Sequence, residues 1–156
     1  PRMKKILAVF AIITVFSIAS AKDYFGVYLG YPGGLGGQYT VNDSLRFSLG
    51  VPFFYGGLGA DASVDFLVPG GPLDKGLKWY YGGGVGLFTY NTNSGGTIYT
   101  VTALFPHFIL GVDYLLSSDL SLFWEANFGI GVYAANVPGA PGYGPGYGAK
   151  LGLNFK

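Results

Sequence analysis

The chain has 156 residues, no cysteine and a formal net charge of +1, with 11% charged residues, 18% aromatic residues and 28 glycines. An ordinary soluble domain carries roughly 25% charged residues, so this chain is short of the charge that normally covers a water-exposed surface. The lack of cysteine excludes a disulfide framework and any Cys-based metal or redox site.

The first residues have the pattern of an export signal. Lys4 and Lys5 form a basic region, residues 6–19 are apolar, and Ala19-Ser20-Ala21 is a small-x-small cleavage site. The apolar stretch is too short to span a bilayer comfortably, which disfavours the alternative of an uncleaved anchor helix. We therefore expect a signal peptide over residues 1–21, cleaved between Ala21 and Lys22.

Removal of the leader leaves a single domain over residues 22–156 and reverses the balance of charge. Pro1 and Arg2 precede the expected start at Met3 and play no part in the fold. Three of the nine basic residues fall in residues 1–21, so six basic groups remain against eight acidic ones. No basic cluster is left, and nucleic acid is not expected as a partner.

Eight segments of the mature chain alternate between bulky apolar residues and small or polar residues, with turn residues between them. This period of two is typical of strands with two different faces. In chain order the predicted strands are Tyr24–Tyr31, Leu35–Val41, Leu45–Phe54, Leu58–Leu67, Leu77–Tyr90, Ile98–Leu115, Leu120–Val132 and Tyr147–Phe155. The longer predicted connections are Val68–Lys75, Asn91–Gly96 and Ala135–Gly146.

The segment Leu120–Val132 shows which face points outward. One face carries Trp124, Phe128 and other apolar residues, whereas the other carries Glu125, Asn127, serine and glycine, with one phenylalanine as the exception. Bulk on the apolar face and little space on the polar face indicate a strand with lipid outside and a narrow lumen inside. A soluble lipid-binding barrel would show the opposite arrangement. The sequence thus predicts an all-β, eight-stranded, antiparallel up-and-down transmembrane β-barrel.

A membrane helix is the main competitor to one predicted strand. The segment Ile98–Leu116 is apolar, but it contains Pro106, His107, Gly111 and Asp113, and its β-branched and aromatic residues favour a strand. An even number of strands places both ends of the chain on one side. For an exported chain this is the periplasmic side, together with the connections near residues 42, 73 and 118. The connections near residues 33, 56, 95 and 139 are then external and short.

Two tracts carry a resemblance to a known family. The tract GVDYLLSSDLSLFWE at Gly111–Glu125 and the terminal KLGLNF at Lys150–Phe155 resemble segments of small eight-stranded outer-membrane barrels of the OmpA/OmpX type, including the opacity-like proteins of diderm bacteria. The resemblance implies that Leu151, Leu153 and Phe155 form the C-terminal signal read by the barrel-assembly machinery. In the family this signal usually ends on the aromatic residue, whereas here Lys156 follows it.

Nearly every ionisable strand residue falls on the inward face. These residues form the expected lumen polar network: Arg46, Asp61, Asp65, Lys78, His107, Asp113, Glu125 and Lys150. Hairpin geometry predicts that Arg46 pairs with Asp65 and that Lys78 pairs with Asp113. Lys150 is expected to meet Glu125 or Asp61. An eight-stranded barrel is only wide enough for side chains, so such a network would plug the lumen.

The inward residues do not indicate a reaction. A single histidine without a second ligand at fixed spacing is a weak basis for a metal or general-base site. Residues 82–86 are glycine-rich but lack the following Lys-Ser/Thr of a phosphate loop. We expect a non-enzymatic structural or surface-interaction protein of the bacterial outer membrane, without a cofactor. Its expected partners are outer-membrane lipid, the assembly machinery and other envelope proteins.

Two alternatives remain open at this stage. A narrow channel or carrier for small solutes requires a lumen that is less plugged than the charges suggest. An exported soluble lipid-binding barrel requires the two faces to be reversed.

Overall fold

The chain folds into a closed antiparallel barrel. The computed structural model describes residues 23–31, 34–52, 59–135 and 142–156, and within these residues the strands follow one another around the ring, with β1 closing against β8. The strands are β1 Tyr24–Tyr31, β2 Gly34–Val41, β3 Leu45–Val51, β4 Gly59–Asp74, β5 Leu77–Ser94, β6 Thr97–Leu115, β7 Leu120–Ala135 and β8 Tyr143–Phe155. The predicted fold class is confirmed.

The expected leader, with Ala19 and Ala21 at its cleavage site, lies outside the described residues. Among the residues that the structure describes, no helix is long and apolar enough to cross a membrane. The predicted strand Ile98–Leu115 is confirmed, since β6 covers Thr97–Leu115.

The predicted connection Val68–Lys75 is wrong, because β4 continues to Asp74. Its extension pairs with β5, from Pro69 opposite Tyr80 to Asp74 opposite Leu77, with two register shifts on the way. Proline cannot donate to the ladder, and bulges are where strands accommodate it. Gly71 has a φ of 100° at one of these irregularities, and the chain reverses at Lys75–Gly76.

Two other predicted loops are shorter than expected. The strands β5 and β6 meet at the two-residue turn Gly95–Gly96, where both φ angles are positive, as a tight hairpin requires. At the same end β8 begins at Tyr143, which pairs with Val132 of β7. Turn-forming residues in both stretches favoured loops, but pairing with the neighbouring strand keeps part of each stretch in the ladder.

The predicted faces are confirmed by side-chain exposure. The outward face of every strand carries large apolar side chains that are half exposed or more, which inverts the usual arrangement of a soluble protein. Among them are Phe25, Leu29, Leu35, Leu49, Phe66, Leu87, Phe108, Trp124, Phe128, Ile130 and Leu151.

The inward face is polar and filled by side chains. The buried polar and charged residues are Gln38, Thr40, Arg46, Ser48, Asp65, Ser121, Glu125, Asn127, Lys150 and Asn154. Glycines on the inward face make room for large aromatic side chains in the lumen. A Cβ at Gly111 would overlap the ring of Tyr80, and one at Gly36 would overlap the ring of Tyr28. The core of this molecule is thus its lumen.

A charge cluster between two cavities

Arg46 lies at the middle of the lumen and joins two opposite walls of the barrel. Its Nη2 is 2.7 Å from Glu125 Oε2 on β7 and 3.2 Å from Asp65 Oδ2 on β4. Its Nε also donates to Asp65, at 3.3 Å. The pairing with Asp65 follows the predicted hairpin register, in which the two residues are direct partners. The contact with Glu125 crosses the lumen, because β3 and β7 are four strands apart in the ring.

The carboxylate of Glu125 is fully buried and fully used. Tyr80 Oη donates to Oε2 at 2.9 Å. The amide of Asn127, oriented so that its own hydrogen bonds are satisfied, donates to Oε1 at 3.1 Å. With Arg46 on the same carboxylate, Glu125 has the partners that a buried charge needs.

His107 completes this group on the other side of Asp65. Its Nε2 lies 2.9 Å from Asp65 Oδ1, and its Nδ1 lies 2.8 Å from the carbonyl oxygen of Phe105. Both ring nitrogens of His107 therefore face oxygen atoms, and the ring links Asp65 to the backbone of β6. We call Arg46, Asp65, Tyr80, His107 and Glu125 the central cluster.

The expected pairing of Lys150 with Glu125 or Asp61 is wrong. Lys150 is the register partner of Glu125, but the oxygens of Glu125 are taken by Arg46, Tyr80 and Asn127. The Lys150 ammonium instead lies 4.6 Å from the ring centre of Tyr28, a cation–π contact. Within the described residues it forms no salt bridge, and Asp61 forms none either.

The expected salt bridge between Lys78 and Asp113 is also wrong. The two residues are register partners, yet Asp113 Oδ2 binds Lys156 Nζ at 2.7 Å and its Oδ1 accepts from Asn154 at 3.5 Å. Lys78 is exposed at the rim of the barrel and forms no salt bridge with a described residue. Lys156, which follows the last strand, takes the expected place of Lys78 at Asp113.

The central cluster separates two cavities. The inner cavity, at the end where the chain termini lie, has a volume of about 340 Å³ and is lined by Asp43, Arg46, Lys78, Tyr80 and Asp113, among others. The outer cavity has a volume of about 290 Å³ and is lined by aromatic rings together with Asp61, His107, Asn127 and Lys150. Arg46 and Tyr80 face the inner cavity, whereas His107 faces the outer one.

The residues of the expected assembly signal lie on β8 at the seam of the barrel. Leu151, Leu153 and Phe155 are opposite Leu29, Val27 and Phe25 of β1. Leu151 and Phe155 expose about half of their surface on the outward face. As for metals, no group of three or more His, Asp or Glu side chains in the described part of the chain is arranged to hold an ion.

An apolar exterior, a charged interior and closure by eight antiparallel strands define the class of protein. The chain has the fold of the small eight-stranded outer-membrane barrels. Among solved structures it is similar to Neisserial surface protein A, with a TM-score of 0.50 and 14% identity over 86% of this chain and 94% of that one.

A major outer membrane protein from Thermus thermophilus is also similar, with a TM-score of 0.48 and 16% identity over 85% of this chain and 98% of that one. No protein-family model matches the chain. No curated protein matches it in sequence.

Proposed function

We propose that the chain is exported through its leader into the bacterial outer membrane and acts there as a non-enzymatic structural or surface-interaction barrel. In this proposal the central cluster closes the lumen. Its partners are the surrounding lipid, the assembly machinery that reads Leu151, Leu153 and Phe155, and other proteins of the envelope.

The exterior supports the membrane location. Its apolar belt is flanked by aromatic side chains, as interfacial girdles are in membrane barrels. Trp79 and Tyr81 stack with ring centres 5.5 Å apart toward the end where the chain termini lie. Tyr143 and Tyr147 expose about three quarters of their surface at the other end.

The closure of the lumen rests on one observation. Arg46 reaches from β3 to Glu125 on β7 and to Asp65 on β4, so a single guanidinium and its two carboxylates link opposite walls of the barrel. In this proposal the link is the partition that closes the lumen. In a barrel of eight strands, side chains of this size are enough to fill the middle of the lumen between the two cavities. The partition favours a closed barrel over an open pore.

The two cavities favour a narrow channel as the second candidate. They lie on opposite sides of the partition, so a movement of the Arg46 side chain would join them into one path through the lumen. The channel function requires this partition to open in the resting protein or under voltage.

Single-channel recording in planar bilayers separates the two functions. We expect the refolded wild-type protein to give no steady conductance. The double variant Arg46→Ser/Glu125→Ser removes both partners of the contact across the lumen, so neither partner remains as an unpaired charge. This variant should conduct. Lys78→Ser, outside the central cluster, is the matched control and should stay closed.

Steady conductance of the wild type would replace this proposal with the channel. A double variant that folds, by far-UV circular dichroism, but stays as closed as the wild type would show that the central cluster is not what closes the barrel.

A further inference from the structure

The outer cavity contains two charges of opposite sign for which no described residue provides a salt bridge. Lys150 is 8% exposed, yet its ammonium makes no hydrogen bond or salt bridge within the described residues. Asp61 lines the same cavity, and within the same residues its carboxylate makes neither contact. The two groups are too far apart to form a salt bridge with each other.

This arrangement differs from that of the neighbouring central cluster. There, each carboxylate oxygen has a named donor, and the guanidinium has two carboxylates. A buried charge without a partner is costly, and proteins normally avoid it. Two opposite charges that line one cavity without a salt bridge to a described residue can bind a ligand that carries both complementary charges.

The walls of this cavity are largely aromatic. The rings of Phe88 and Tyr90 lie 5.2 Å apart on β5. On β6, Phe105 stacks on His107 with ring centres 5.0 Å apart and an interplanar angle of 26°. All four side chains line the cavity, and Gly86 leaves space between the two strands, since a Cβ there would have only ordinary contacts. Flat apolar groups pack well against such walls.

We propose that the outer cavity binds a small zwitterion with a flat apolar body, its carboxylate on Lys150 and its ammonium on Asp61. The volume of about 290 Å³ lies at the lower end of the range for small-molecule sites, about 300–1,000 Å³, and so suits a small ligand. Such sites also combine apolar walls with a few polar groups, as this cavity does. The inference goes beyond the closed barrel proposed above and does not depend on the location of the protein.

Four indole compounds test the two charges separately. L-tryptophan carries both charges on a flat body, indole-3-acetate only the carboxylate, tryptamine only the ammonium, and indole neither. Isothermal titration calorimetry of the refolded full chain in detergent should show saturable binding of tryptophan at one site. Each of the other three compounds should bind at least tenfold more weakly, and titration into detergent alone gives the baseline.

Three variants assign the charges to residues. Lys150→Met should weaken tryptophan binding at least tenfold and remove the preference for tryptophan over tryptamine. Asp61→Asn should remove the preference for tryptophan over indole-3-acetate. Lys78→Met changes a lysine of the inner cavity and should bind as the wild type does. Asp61→Asn keeps the shape of the side chain, so it tests the site even if Lys150→Met fails to fold.

The proposal is overturned if no compound binds, if indole binds as tightly as tryptophan, or if both variants bind tryptophan like the wild type. Loss of binding with an unchanged, closed conductance would remove this inference alone and leave the proposed function standing.

Discussion

At the residue scale, the protein depends on one guanidinium that holds two carboxylates from different walls. Removal of Arg46 would leave Asp65 and Glu125 buried without their shared cation, and removal of Glu125 would leave the guanidinium underpaired. Breaking one side of a buried ion pair typically costs about 3–5 kcal/mol. The cost arises from the stranded charge, so it falls when the second partner is removed as well.

A double-mutant cycle should measure this coupling. We expect Arg46→Met and Glu125→Gln each to lower the free energy of unfolding by about 3–5 kcal/mol. The double variant should lose at least about 1 kcal/mol less than the sum of the two. Urea unfolding of the refolded protein, followed by tryptophan fluorescence, gives the values. Lys78→Met should change stability by no more than about 0.5 kcal/mol, as a surface substitution does. Strict additivity would contradict the contact across the lumen.

The sequence could predict part of this cluster and not the rest. The pairing of Arg46 with Asp65 could be predicted because the two residues lie on consecutive antiparallel strands, where counting residues gives the register. Glu125 is remote from Arg46 along the chain, and alternation says which face a residue occupies but not what it meets across a closed lumen. Lys78 and Asp113 show the converse, since correct register placed them side by side without a salt bridge.

At the element scale, two inward glycines of β5 leave space for different parts of the lumen. A Cβ at Gly84 would overlap the carboxylate of Asp65 and lie 2.8 Å from the Asp65 Cα, so this position has no space for a side chain. At Gly86, two residues further on the same face, the nearest atoms would be 3.7 Å away. The first glycine allows the central cluster to form, whereas the second leaves open space in the outer cavity.

Alanine at these two positions should therefore have different effects. Gly84→Ala should cost about 1–3 kcal/mol, the usual penalty for overpacking, because Asp65 must shift away from Arg46. Gly86→Ala is the matched control and should stay within about 0.5 kcal/mol of the wild type. The measurement is again urea unfolding. Equal effects at the two positions would mean that the backbones of β4 and β5 are not in the close contact described.

The ends of the strands were harder to predict than their faces. Periodicity identified every strand, because the outward apolar residues repeat at every second position. The predicted strands ended too early, at Leu67 and at Tyr90, because the turn-forming residues that follow them continue the ladder. Residues such as proline and glycine disfavour an isolated strand, but a neighbouring strand in the barrel supplies enough hydrogen bonds to retain them.

At the scale of the whole molecule, the inverted surface is meaningful only in lipid. We expect the chain, expressed with its leader in a diderm bacterium, to fractionate with the outer membrane and to resist carbonate extraction. N-terminal sequencing should find Lys22 first, because the cleavage site ends at Ala21. Replacing Ala19 and Ala21 by leucine should block processing and serves as the control. A soluble periplasmic protein after carbonate washing would contradict the membrane location.

The uneven height of the ring has a consequence for how the barrel opens. The strands β1 to β3 have 7 or 8 residues, whereas β5 and β6 have 18 and 19. Consecutive strands pair as hairpins, but the seam brings Phe25 beside Phe155 and closes nearly the whole chain into a loop. Closing this loop has the largest entropy cost of any strand pairing in the barrel, and only a short ladder of hydrogen bonds offsets that cost. We therefore expect the seam to form last in folding and to open first, and hydrogen exchange should find the slowest amide protons in the β5–β6 hairpin.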